Sequence, residues 1–153
     1  MRFILAVVFL FSSCSSGKFN KSNPINQKAI TFETIVQDFY GGMSNSKFVV
    51  INDLKSLDEI YILINKNRYS KLEVPEVNFE KETIIALFLG ERTSGGFSIS
   101  VERILNNNNN VMVFYKIVTP KQDDMLASVM TQPFCIIKMP NTSKEIIFKE
   151  INY

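Results

Sequence analysis

Thr83-Ile84-Ile85-Ala86-Leu87-Phe88-Leu89 decides the fold. Its apolar residues run on without alternation. A strand built from them would bury both faces, which predicts a central strand covered on two sides. Toward the C-terminus the pattern changes. Phe97, Ile99 and Val101 alternate with Ser98, Ser100 and Glu102, the signature of a half-exposed antiparallel strand. The run Asn106 to Asn110 suits a hairpin loop, because Asn tolerates left-handed backbone angles. Val111 to Val118 then returns as the partner strand. Phe134 to Met139 and Glu145 to Ile151 predict a final hairpin, turned by Pro140-Asn141-Thr142-Ser143.

Upstream, Ile30 to Phe39 alternates and predicts one first strand, broken by Gly41-Gly42. Lys47 to Asn52 predicts a short apolar strand around Phe48-Val49-Val50-Ile51. Ser56 with Glu59 three residues later has capping-box spacing. Leu57, Ile60, Tyr61 and Ile64 then share one helical face, and the helix should end near Asn65. About seven strands and one main helix result, with the helix among the strands. That order predicts an α+β domain over residues 29–153, mainly an antiparallel sheet curled into a partial barrel or a sandwich. The connection Pro120 to Thr131 is longer than a minimal loop. Its Met125, Leu126, Val129 and Met130 predict a short amphipathic helix.

Composition bounds the chemistry. The chain has 153 residues, 46% hydrophobic and 21% charged, as expected of a globular protein. Its net charge of +2 supplies no basic stripe, so nucleic acid is not an expected partner. There is no His, which removes the commonest general base and the commonest metal ligand. A serine nucleophile therefore lacks its usual base. Gly95-Gly96 lacks the spacing and Lys of a phosphate loop, and Asp123-Asp124 reads as a solvated loop. No catalytic residues, metal or cofactor are expected. Cys135, inside Phe134-Cys135-Ile136-Ile137, reads as a buried small hydrophobe.

The N-terminus carries a different signal. Arg2 is followed by nine apolar residues, Phe3 to Phe11, then Ser12-Ser13-Cys14. This is the layout of a signal peptide. Nine residues of helix span about 14 Å, too little for a membrane core of about 30 Å. Phe-Ser-Ser-Cys resembles a bacterial lipobox, with Phe11 where Leu is usual. The resemblance implies cleavage after residue 13 and lipidation of Cys14, which would anchor the chain to a membrane. Residues 14–28 are polar, broken by Gly17 and Pro24, and read as a flexible tether. The expected location is the cell envelope, on the periplasm-facing side of an outer membrane.

A second resemblance lies in the domain. Gly90-Glu91-Arg92-Thr93-Ser94-Gly95-Gly96-Phe97 joins two predicted strands. Thr119-Pro120 follows, and then Thr131-Gln132-Pro133-Phe134-Cys135-Ile136-Ile137. In that order these strings resemble the C-terminal domain of the PrcB-type protease-complex subunit family. That family has a Gly-x-Arg-x-Thr-Gly-Gly-Tyr turn, a Thr-Pro, and a Pro-Tyr strand. Here Ser94 is added or substituted, and Phe97 and Phe134 stand where Tyr is usual. The resemblance implies a non-catalytic binding or stabilising subunit for an exported protease or another envelope protein. Glu91, Arg92, Thr93, Gly95, Gly96 and Phe97 are the candidate partner-binding residues. Two other functions fit the composition: a protease inhibitor presenting Arg92 or the 120–131 loop, and a carrier holding a small ligand in a sheet cavity.

Overall fold

The computed structural model describes residues 27–121, 125 and 127–152. The leader, Cys14, most of the tether, Asp123, Asp124 and Leu126 lie outside the described residues.

The elements are β1 (Lys28–Ile30), β2 (Glu33–Asp38), β3 (Lys47–Ile51), α1 (Leu54–Asn65), β4 (Glu82–Phe88), β5 (Ser98–Asn106), β6 (Asn110–Val118), β7 (Phe134–Pro140) and β8 (Glu145–Glu150). They form two four-stranded sheets, ordered β1-β5-β6-β8 and β2-β7-β4-β3. The first sheet, here the outer sheet, is antiparallel except where β8 runs parallel to β6. The second, the middle sheet, is antiparallel throughout. The fold is therefore α+β and β-rich, with eight strands and one helix among the described residues.

β4 behaves as its composition dictates. Ile85, Leu87 and Leu89 face the outer sheet and pack with Ile99, Val101, Ile104, Val111, Val113, Cys135 and Ile137. Ile84, Ala86 and Phe88 face the other way and pack with Leu57, Tyr61 and Ile64 of α1. The middle sheet is thus enclosed between the outer sheet and the helix. These side chains fill the space between the sheets, which gives the small-ligand carrier reading no support.

Four local expectations are corrected. Residues 30–39 form two strands, because the chain leaves the outer sheet at Thr31-Phe32 and joins the middle sheet at Glu33. Alternation continues across that step, so periodicity alone does not reveal it. β7 and β8 do not form a hairpin: β7 pairs with β2 and β4, and β8 pairs with β6. Residues 141–144 instead carry the chain between sheets, and the Asn141 N–H donates to Lys81 O (2.8 Å). The helix is capped by Asp53 rather than Ser56. Asp53 accepts from the Ser56 N–H (2.8 Å) and hydroxyl (2.7 Å), as an N-cap carboxylate does. Residues 127–130 are irregular, so the short helix is absent among the described residues.

The predicted helix face is otherwise met: Leu57, Tyr61 and Ile64 are buried, and Ile60 packs beside them. The Asn run turns β5 into β6, with the Asn107 N–H donating to Asn110 O (2.9 Å).

Candidate functional site

The Gly-rich turn leaves β4 at one end of the sandwich. Leu89 N–H donates to Pro133 O (2.8 Å), so pairing with β7's segment continues past the strand. Gly90 then takes φ +80°. A Cβ there would lie 2.7 Å from Ser46 N, so Gly is required both for the backbone angle and for the close approach. The Glu91 N–H donates to Ser44 O (3.0 Å). Arg92 and Thr131 exchange both backbone bonds, at 2.8 and 2.9 Å. The buried Thr131 hydroxyl donates to Ser94 O (3.0 Å), and the Gly95 N–H donates to Ala127 O (3.1 Å). Gly96 turns the chain back at φ +84°. The turn is therefore held by backbone bonds to two other segments, the one at Ser44 and the β6–β7 connection.

The turn presents its candidate side chains unequally. Glu91 and Thr93 are exposed, and Arg92 is half-buried. The Arg92 guanidinium donates to Glu91 O (2.8 Å) and lies 5.6 Å from the Phe97 ring centroid. Phe97 packs against the sandwich core, so its apolar body serves packing whether or not it touches a partner. Gly95 and Gly96 set backbone geometry.

Beside the turn lies a surface groove of about 520 Å³ that the sequence did not indicate. Its lining includes Tyr40, Ile64, Arg68, Tyr69, Met130 and Gln132. Gln132 joins groove to turn. Its side chain accepts from the Gly42 N–H (3.1 Å) and donates to Glu91 Oε2 (3.4 Å). Its backbone N–H donates to Phe39 O (2.7 Å), and its carbonyl accepts from Gly41 N–H (2.8 Å). Arg68 donates to Asp38 Oδ2 (3.1 Å) and to Tyr40 O (2.8 Å). Burial works against the charged form of Asp38. The Arg68 hydrogen bond and the backbone N–H groups of Phe39 and Tyr40 outweigh it and hold its pKa below the ordinary carboxylate value. The signals were faint: Gly41-Gly42 marked only a break, and Tyr69 stands alone in a polar loop.

Cys135 is buried, and burial pushes its thiol pKa up, which keeps it from acting as a thiolate nucleophile. Among the described residues no group of three or more His, Cys, Asp or Glu side chains could hold a metal ion. Nor is any described helix long and apolar enough to cross a membrane.

The family model described as PrcB C-terminal matches residues 83–140. Those residues contain β4, β5, β6 and β7, the inner pair of each sheet, together with the Gly-rich turn. The edge strands and α1 lie outside the match. No curated protein and no solved structure matched the chain.

Proposed function

From the match of residues 83–140 to the PrcB C-terminal family, we propose that this chain is a membrane-anchored, non-catalytic subunit that binds and stabilises an exported protease complex. The carrying observation is that match, which spans the inner strands of both sheets and the turn between β4 and β5. The absence of His and the burial of Cys135, which pushes its thiol pKa up, agree with a role in contact rather than catalysis. In this reading Cys14 carries the lipid. Two or more acyl chains anchor stably, each buried CH₂ contributing about 0.8 kcal/mol. The turn, rigid through its backbone bonds, offers Glu91, Arg92 and Thr93 to the partner. A pre-ordered surface loses less entropy on binding than a flexible one.

The test is affinity capture of the full chain from native membranes, with mass spectrometry of both captured protein and bait. A reproducible, stoichiometric exported protease or its subunit is expected, together with an acylated Cys14 peptide. Cys14→Ala should release the chain from the membrane fraction. A soluble wild-type chain, or capture without any reproducible partner, would contradict the proposal.

A further inference from the structure

The groove and Lys28, the start of β1, lie at opposite ends of the sandwich. β1 starts at Lys28, paired with Asn106 at the far end of β5, whereas the Gly-rich turn enters β5 at Ser98. β5 has nine residues, about 30 Å at roughly 3.3 Å per residue. A chain anchored through Cys14 thus holds its domain by the end remote from the groove.

The groove end leaves apolar side chains in water. Phe39, Tyr40, Tyr69, Val129 and Met130 are 50%, 51%, 107%, 39% and 58% exposed. They are five of the twelve exposed large hydrophobic residues among those described. The remaining seven are spread over several other elements and loops. Phe114, on the solvent face of the outer sheet, is only 6% exposed, with Arg103 Cζ 4.4 Å from its ring centroid. Clustered apolar exposure at a concave site marks a contact surface.

The charge of the site selects the kind of contact. Among the described residues Arg68 is the one charged side chain lining the groove, and Asp38 pairs with it at 3.1 Å. A charged ligand would gain little there. Tyr40 and Tyr69 supply flat apolar bodies with hydroxyl tips, and Asn67, Ser70 and Gln132 supply amide and hydroxyl groups. Such a charge-paired, tyrosine-lined groove suits an extended, uncharged polypeptide, whose prolyl or aliphatic side chains lie on the rings while its carbonyls accept hydrogen bonds.

We infer that the Tyr40–Tyr69 groove docks an extended, uncharged segment of a partner protein, on the side of the domain turned away from the anchor. The inference rests on the binding-subunit reading and adds the surface and the ligand class. The tether (residues 15–27) is a rival occupant. Fully extended, its thirteen residues would reach at most about 45 Å, so the test below includes it as an outcome.

The test pans a displayed library of random twelve-residue peptides against the full chain in lipid nanodiscs. Uncharged peptides rich in Pro or aliphatic residues should be enriched. Their affinity should fall at least tenfold for Tyr69→Ala, whose side chain is fully exposed, and for Tyr40→Ala, with the circular dichroism spectrum unchanged. No enrichment, enrichment of charged peptides, or equal binding by Tyr69→Ala would overturn the inference. So would selection of peptides matching residues 15–27, which would make the groove a self-docking site. If peptides bind as expected but native membranes yield no partner, the binding-subunit reading fails separately. If a partner is captured equally by wild type and Tyr69→Ala, only the groove assignment fails.

Discussion

The two ends of β5 solve the same problem in different ways. At the Asn106 end the chain reverses through Asn107 to Asn110. The turn is closed by one local backbone bond, Asn107 N–H to Asn110 O (2.9 Å), and by a single distant side chain, Lys144, whose Nζ donates to Asn106 Oδ1 (2.6 Å) and Asn107 O (2.7 Å). At the Ser98 end the turn is bonded to Ser44, Ala127 and Thr131, all distant in sequence, and it borders exposed tyrosines. A strand can be ended cheaply with polar residues. The Ser98 end differs in being held by several backbone bonds and in bordering the groove, and it is the end proposed here to bind.

Substitution at the two ends should expose the difference. Gly90→Ala forces a Cβ into Ser46 and onto a positive φ. It should destabilise the protein by about 2 kcal/mol or more in denaturant unfolding. Asn108→Ala, on the exposed local turn, should change stability by less than about 0.5 kcal/mol. Equal effects would erase the contrast between the two ends.

Acid should sharpen it further by a smaller amount. Asp38 has its pKa lowered when folded, so its contribution is fully present above its ordinary value and is lost as pH falls through the lower folded value. Below about pH 4 the Asp38–Arg68 link should begin to weaken, and it should be lost as pH falls through the lower folded value. Amide exchange at residues 39–42, taken relative to the intrinsic rate at each pH, should then rise more than at 107–110 between pH 5 and pH 2. A uniform rise across both ends would show that Asp38 does not hold the groove.

The layers were legible because burial writes itself into composition. β4 is apolar at both parities and lies in the enclosed sheet, whereas β5 alternates and lies in the sheet with a wet face. The helix face was legible from Leu57, Ile60, Tyr61 and Ile64. Sheet membership was not, since alternation along 30–39 is blind to which strand each residue pairs with. The β8 pairing was missed for the same reason: a short polar connection after β7 fits a hairpin as well as a crossover. Of the site, the Gly-rich turn was visible as a motif. The groove was not, because Tyr40, Tyr69 and Met130 come from three separate segments and meet only through the fold.

The most direct test places a photo-crosslinking amino acid at position 69 and, separately, at position 108, in the full chain within its native envelope. The account predicts a single cross-linked envelope protein from position 69 and none from position 108. Equal yields from both positions, or cross-links from 108 alone, would contradict the claim that this domain works through the end that carries the Gly-rich turn and the groove.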